Sequence, residues 1–270
     1  MREFFFKSFI LILLFFKQYS VAQTEGVVYY TYFQDLGVPG YMDAALYFNN
    51  EKAVYYKAQF QYNNQQVELD PGARLVKEFD DDDISDKLLL KCVLLPSSDE
   101  LICVESPIDS KPYYVKEKTP KIKWEIADTT RLIENYRVQK ATGFFRGRTY
   151  HVWFAPEIPV PYGPWKLMGL PGLILEAQDD SGRVKFLFKG IRNAPTQIEK
   201  IDFGKYSSVD IVSFQEIDKK AVIDYRKKTM AQLGIRDAQL METKEPPDEL
   251  KLEFDFEWEK KPPPEKGNKP

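Results

Sequence analysis

Residues 88–105 read LLLKCVLLPSSDELICVE, which is two apolar runs on either side of a short polar segment. Proline, serine and aspartate are typical of tight turns between antiparallel strands. If Ser97 and Ser98 lie at the centre of this turn, Cys92 faces Cys103 across the two strands. Directly opposite residues have Cα atoms about 4.5–5.5 Å apart, which is within the range of a disulfide. The stretch predicts a hairpin closed by a Cys92–Cys103 disulfide, with two buried free thiols as the alternative.

Short runs rich in aromatic and β-branched residues recur along the chain with turn residues between them. Besides the hairpin, they predict strands at Gly26–Phe33, Ala44–Phe48, Ala53–Ala58, Tyr113–Glu117, Lys123–Ile126, Thr130–Lys140, Thr149–Phe154, Leu173–Gln178 and Val184–Ile191. The last two form a second hairpin around the turn sequence DDSG. The expected fold class is mainly β: a twisted antiparallel sheet or partial barrel with one helix in the C-terminal half. This architecture resembles lipoprotein-carrier folds, which shelter apolar ligands in a concave face.

The C-terminal third contains the predicted helix and a distinct tail. Ser213-Phe214-Gln215-Glu216 is a capping-box pattern and Gly234 suits a helix stop, so we expect a helix at about 215–233 that packs on the sheet. Apolar and charged residues alternate in residues 250–258, which predicts a strand. That strand belongs either to the home sheet or to the edge of a partner's sheet. The expected organisation is a leader over 1–22, a β-rich domain over 23–243 and a proline-bounded tail over 244–270.

The first 22 residues resemble a secretory signal peptide. Arg2 and Lys7 make the start positive, Phe9–Phe16 is apolar, and Ser20-Val21-Ala22 fits the small-x-small cleavage rule. The apolar run is too short for a bilayer core of about 30 Å, so a retained anchor is the less favoured alternative. We therefore expect export to an oxidising compartment such as the periplasm, which also suits a disulfide.

Charge and residue counts exclude several classes of function. The chain has a net charge of −3 and its leader is positive, so the mature protein is mildly acidic and lacks the basic surface of a nucleic-acid binder. There is one histidine and there are two cysteines, whereas Cys/His zinc sites need three or four ligands. We therefore predict no metal and no cofactor. The acidic run at residues 80–83 is interpreted as a solvated loop, not a calcium site.

Residues 141–176 read ATGFFRGRTYHVWFAPEIPVPYGPWKLMGLPGLILE, and the five prolines in this segment exclude a helix interior. The aromatic content predicts a long ordered loop, with Tyr162, Trp165 and Met168 either inserted into the core or lining an apolar pocket. Leu170-Pro171-Gly172-Leu173 suits a type II turn with Gly172 at positive φ.

Three further side chains near this loop are candidate binding residues. Arg146 and Arg148 are expected either to anchor the loop through salt bridges, with Glu157 and Glu176 near in sequence, or to bind an anion. His151 is expected to be a hydrogen-bonded, half-exposed strand residue, with a metal ligand or general base as the alternative.

Residues Gly169, Leu170, Pro171, Gly172, Leu173 and Ile174 spell GLPGLI, the motif that names the GLPGLI family. The residues before it also resemble that family's pattern: Lys140-Ala141-Thr142, Phe145-Arg146-Gly147-Arg148, Trp153-Phe154, Glu157-Ile158-Pro159 and Gly163-Pro164. The resemblance covers about residues 135–190, and Val138 departs from it where the family often has cysteine. It implies an exported protein of Gram-negative bacteria, from a family whose genes are often found near those for outer-membrane, TonB-dependent receptors. It implies no catalytic residues, because no activity is established for the family.

The sequence thus predicts a non-catalytic periplasmic binding or assembly factor near the outer membrane. The expected partner is an outer-membrane receptor, another envelope protein or an apolar ligand; nucleic acid binding and membrane integration are not expected. The alternative is a periplasmic hydrolase that uses His151 with the carboxylates of Glu157 and Glu176. No nucleophile elbow or phosphate loop supports that alternative. A structural envelope component is a third hypothesis.

Overall fold

The computed structural model describes residues 24–36, 39–58, 88–95, 97–192, 198, 204–232, 234 and 251–256. The predicted leader and the acidic run at residues 80–83 lie outside these ranges. Within them, no helix combines the length and apolar character needed to cross a membrane.

Twelve strands of the described chain form one mixed sheet that is not closed. Their bounds are β1 Gly26–Asp35, β2 Pro39–Phe48, β3 Ala53–Ala58, β4 Leu88–Leu95, β5 Glu100–Glu105, β6 Tyr113–Lys118, β7 Trp124–Ile133, β8 Tyr136–Phe145, β9 Arg148–Ala155, β10 Leu173–Asp179, β11 Val184–Arg192 and β12 Ser207–Asp210. The spatial order is β12-β6-β5-β4-β3-β2-β1-β11-β10-β9-β8-β7. All neighbours are antiparallel except β12 and β6. The predicted mainly β fold with an antiparallel sheet is confirmed.

The cysteine hairpin forms in the predicted register. Strands β4 and β5 pair with Cys92 opposite Cys103 and Val93 opposite Ile102. The two cysteines form a disulfide with their Cα atoms 4.1 Å apart. The second predicted hairpin is also present, because β10 and β11 are neighbours joined by a turn that contains Gly182 at positive φ.

The prediction of a single strand over Thr130–Lys140 is wrong. A turn at Glu134 and Asn135 divides this stretch into β7 and β8, which pair as a hairpin. Glu134 has a φ of 49°, the left-handed conformation that two-residue hairpin turns require. Because the turn contains no glycine or proline, pattern reading did not detect it.

The single helix of the described residues, α1, spans Ile211–Gln232 and begins four residues earlier than predicted. Asp210, not Ser213, caps it: the Ser213 backbone N–H donates to the Asp210 carboxylate at 2.9 Å. The predicted stop is correct, since Gly234 has a φ of 71° and its N–H donates to the Ala231 carbonyl. The first turn of the helix packs on the sheet, where Ile211 and Phe214 are buried with Val115.

Residues 251–256 do not form the predicted strand. They contain bends, and the Phe254 N–H donates a backbone hydrogen bond to the Arg146 carbonyl at 3.3 Å. The carbonyls of Lys251 and Leu252 accept hydrogen bonds from the Arg148 side chain, at 2.5 and 3.3 Å respectively. A side chain thus binds the backbone groups that a strand ladder would have used.

The principal core is shared by the sheet and by the proline-rich loop at residues 156–172. One buried cluster contains residues of β1–β5 and β7–β11 together with Ile158, Val160, Tyr162, Trp165, Leu167, Met168 and Leu170. A second, smaller cluster lies on the opposite face of β1–β5 and includes Val27, Val54 and Ile102. The loop therefore covers the inner face of the sheet with its own apolar side chains.

Candidate binding site at the β8–β9 turn

Tyr162, Trp165 and Met168 are inserted into the core instead of lining an open pocket. Their exposed fractions are 2%, 2% and 7%. The Trp165 ring packs against Phe145 and Tyr150 at centroid distances of 5.6 and 6.5 Å. Trp165 holds a φ of 57°, a rare conformation for a bulky residue that its burial maintains. The loop is a packed element of the domain.

Backbone hydrogen bonds attach both ends of the loop to the sheet. The Leu173 N–H donates to Ile158 O and the Ile174 N–H donates to Tyr162 O, each at 3.0 Å. Two side chains add to this: Tyr30 Oη donates to Ile174 O at 2.7 Å and Trp124 Nε1 donates to Met168 O at 2.8 Å. Sequence reasoning did not assign Trp124 or Tyr30 to the loop, because their partners are distant in sequence.

The residues of the motif at 169–174 shape the backbone and fill the core. The two glycines of the motif have different roles. Gly169 has a φ of 96°, which favours glycine. Gly172 is outside the positive-φ region, so the predicted type II turn is wrong. Gly172 is needed for close approach, since a Cβ there would lie 2.4 Å from the Ala155 carbonyl oxygen. Leu170, Leu173 and Ile174 are buried in the core.

A buried ionic cluster joins this loop to the other half of the sheet. Lys166 is fully buried, and its Nζ lies 2.8 Å from Glu117, 3.0 Å from Glu253 and 3.5 Å from Glu105. Arg146 forms ion pairs with Glu117 and Glu253 through its two terminal nitrogens. The cluster thus has two cations, Lys166 of the loop and Arg146 of the β8–β9 turn. Three carboxylates surround them, from Glu105 in β5, Glu117 in β6 and Glu253 in the tail.

The mutual attraction of these groups outweighs the cost of burying most of them as ions. Burial alone would lower the pKa of Lys166, but Glu117, Glu253 and Glu105 together raise it. Burial alone would raise the pKa of Glu117, but Lys166 and Arg146 together lower it. For Glu105, burial prevails over the attraction of Lys166 and raises the pKa. Lys166 and Glu117 are therefore the charged centre of the cluster.

Arg148 anchors a second set of contacts at the same turn. Its guanidinium donates to Asp179 at 2.7 Å, and both side chains are buried. Asp179 also accepts the Val184 N–H at 2.9 Å, which closes the β10–β11 turn. Both arginines therefore form the anchoring salt bridges that were one of the two interpretations. Their partners are Glu117, Glu253 and Asp179 instead of the expected Glu157 and Glu176.

The tail residues 251–256 lie directly on the β8–β9 turn. The ring of Phe254 packs on Gly147, where a Cβ would come within 2.3 Å of the ring. The Arg148 guanidinium lies 5.5 Å from the Phe254 ring centre, and that of Arg146 lies 5.3 Å from the Phe256 ring centre. Sequence reasoning missed Lys166, Glu117, Glu105 and Glu253 as members of one site. The available signal was Lys166 itself, a lysine between apolar residues of a loop predicted to be packed.

His151 lies outside this cluster, on an exposed part of β9. Its Nδ1 is 3.0 Å from Thr142 Oγ1 and its Nε2 is 2.6 Å from Asp180 Oδ1. Glu176 pairs with Arg131, and Glu157 accepts the Arg137 backbone N–H at 3.2 Å. No hydrogen bond or ion pair joins His151, Glu157 and Glu176 to one another among the described residues, so their geometry gives no support to the hydrolase alternative.

One group of potential metal ligands is compact enough for an ion within the described ranges: Cys92, Cys103 and Glu105. Its two sulfur atoms form the disulfide and therefore supply no thiolate.

The fold and this site define a mainly β protein that packs a proline-rich loop on its sheet and binds its own tail beside that loop. The segment that carries most of these features, residues 145–176, matches the model of a family described as "Protein of unknown function (Porph_ging)". A search of curated proteins gave no significant match.

Solved structures show only distant similarity. Two structures of PNGF-II are each 15% identical to this chain, with TM-scores of 0.49 and 0.48, and the alignments cover 73% of this chain. This chain spans only 33% and 34% of the PNGF-II chains. An uncharacterized conserved protein from Thermus thermophilus is 10% identical with a TM-score of 0.35, over 70% of this chain and 91% of that one. Similarity at this level transfers neither activity nor ligand.

Proposed function

We propose that this protein is an exported, non-catalytic binding or assembly factor of the GLPGLI family that acts in the periplasm, beside the outer membrane. The observation that carries the proposal is the tail: a six-residue segment is bound at the β8–β9 turn through its backbone, its carboxylate and its rings. A surface that binds one peptide segment in this way is suited to protein recognition.

The arrangement of the matched segment supports binding over catalysis. Residues 169–174 shape the backbone and the core, while Arg146, Arg148 and Lys166 face the tail. The predicted leader and the disulfide are consistent with an oxidising envelope compartment.

The same geometry favours a protein partner over an apolar ligand. Loop side chains fill the inner face of the sheet, which is the face where carrier folds hold a lipid. The proposed partner is accordingly an outer-membrane receptor or another envelope protein.

Two measurements test this proposal. Expression of the full chain in a Gram-negative host, followed by fractionation and N-terminal sequencing, should recover a periplasmic protein that starts at Gln23. Crosslinking and capture from envelope extracts should retain a specific envelope protein, and His151→Ala should retain it equally, because His151 is away from the tail. Recovery in the cytoplasm, or capture of no envelope protein, would refute the proposal.

A further inference from the structure

We infer that Arg146, Gly147, Arg148 and Lys166 form a peptide-binding site for acidic, aromatic segments, and that residues 251–256 are its intrachain ligand. We call this surface the tail-binding site. A segment of similar chemistry from a partner protein replaces the tail. The inference deepens the proposed function, and it rests on that proposal for the compartment in which the partner is found.

Within the described residues, the tail contacts the β8–β9 turn through one short segment. This segment, residues 251–256 (KLEFDF), lies more than a hundred positions after the β8–β9 turn in the chain. Arg148 binds two backbone carbonyls of this segment, and the Arg146 carbonyl accepts one of its N–H groups. Linear peptides are recognised through their backbone groups together with selected side chains.

The charges of the tail and of its binding site are complementary. The Glu253 carboxylate accepts hydrogen bonds from both Arg146 and Lys166, and the Lys166 ammonium is fully buried. Charge-assisted hydrogen bonds from two cations to one carboxylate make the site selective for an acidic residue at this position. A partner segment must therefore supply a carboxylate where Glu253 now lies.

The shape of the site fits the aromatic rings of the tail. Gly147 leaves a bare patch of backbone on which the Phe254 ring lies, and any Cβ at Gly147 would overlap that ring. Arg148 and Arg146 lie over the rings of Phe254 and Phe256. The ligand class is thus a segment in which aromatic residues follow the acidic one at the first and third positions, as Phe254 and Phe256 follow Glu253.

The tail is covalently attached to the site that it occupies, so a partner segment must compete with it for binding. Attachment gives a ligand an effective concentration that is on the order of millimolar for short linkers. A free segment of equal intrinsic affinity therefore binds the intact chain weakly, and cutting the connection removes this advantage. The site is consequently inhibited by its own chain.

An exchange experiment on the full mature chain tests the inference. A protease site is placed within residues 235–250, and the probe is a fluorescent synthetic peptide of residues 248–260, DELKLEFDFEWEK. After cleavage, fluorescence anisotropy should show that the probe displaces the native tail, with an affinity at least about tenfold higher than for the uncut chain. Probes carrying Glu253→Gln or Phe254→Ala should bind at least about tenfold more weakly.

A matched pair of glycine variants isolates the site from general strain. Gly147 and Gly182 both have positive φ, at 88° and 69°, so alanine strains the backbone at either position. Only at Gly147 would a Cβ overlap the tail, since the nearest atom at Gly182 is 3.6 Å away. Gly147→Ala should abolish probe binding to the cut chain, whereas Gly182→Ala should preserve it.

Three results would overturn the inference. The first is a cut chain that stays folded by circular dichroism and never exchanges its tail. The second is unfolding as soon as the tail leaves, which would make residues 251–256 a part of the core. The third is a doubled mass in solution, which would show that a second copy supplies the occupant. Because the assay uses purified components, its result is independent of the capture from envelope extracts.

Discussion

Two tyrosines in the same core, Tyr30 and Tyr55, are fully buried but differ in the surroundings of their hydroxyl groups. Tyr30 donates a hydrogen bond to Ile174 O, at the end of the proline-rich loop. The Tyr55 hydroxyl is buried without a hydrogen-bond partner among the described residues. Burial raises the pKa of both phenols, so both stay neutral over the physiological range.

We predict opposite consequences for removing these hydroxyls. Tyr30→Phe should lower the free energy of unfolding by about 1–3 kcal/mol, because a buried carbonyl loses its donor. Tyr55→Phe should be neutral or slightly stabilising, because an unpaired polar group leaves the core. Urea unfolding of the two variants measures the difference, and equal losses would contradict the assignment.

Gly172 in the loop and Gly190 in β11 provide a second comparison of single residues. A Cβ at Gly172 would lie within 3 Å of the Ala155 and Pro156 backbone, whereas one at Gly190 would meet nothing within 4 Å. Gly172→Ala should therefore destabilise the protein by about 1–3 kcal/mol through overpacking, and Gly190→Ala should not. Thermal unfolding of both variants tests this, and a harmless Gly172→Ala would disprove close approach as the reason for the glycine.

At the scale of elements, the cysteine hairpin was the most predictable part of the fold. Its turn, its register and its disulfide are all local, and nearby residues specify them. By contrast, the β7–β8 hairpin was missed because its turn uses Glu134 and Asn135, which pattern reading does not mark as a breaker. The prediction of a strand in the tail was wrong because an alternating pattern does not specify which groups form hydrogen bonds with the backbone.

The disulfide should contribute measurably to the stability of its hairpin. Replacing Cys92 and Cys103 together by alanine should lower the free energy of unfolding by up to about 3 kcal/mol, because the unfolded chain loses a constraint. Chemical denaturation of the variant, beside the wild type under reducing and oxidising conditions, measures the effect. Identical midpoints in all samples would show that the bridge adds no stability.

At the scale of the whole molecule, the ionic cluster links parts that are far apart in the sheet order. Glu105 and Glu117 belong to β5 and β6, near one edge, while Arg146 follows β8, near the other edge. Lys166 and Glu253 reach the same point from the loop and the tail. A single buried network thus joins the two ends of an open sheet.

This network predicts unequal roles for its carboxylates. Glu117→Gln should lower the free energy of unfolding by about 3–5 kcal/mol, because two buried cations lose the more deeply buried of the two carboxylates that they share. Glu105→Gln should cost much less, because burial raises the pKa of Glu105 and its contact with Lys166 is longer, at 3.5 Å. Urea unfolding of the two variants at neutral pH measures both losses of unfolding free energy. Similar losses would contradict the prediction that Glu117 contributes more than Glu105.

The sequence by itself determined the β class, most strand positions, the cysteine pairing and the presence of an ordered loop, because each depends on residues a few positions apart. It also indicated Arg146 and Arg148 as anchors, but not what they anchor. Only the tertiary structure decided that Lys166, Glu117 and Glu253 meet, and that the tail lies on Gly147. The contact between Arg146 and Glu253 joins residues 107 positions apart, and no local pattern encodes such a pair. These contacts form where a packed sheet brings opposite charges together out of water.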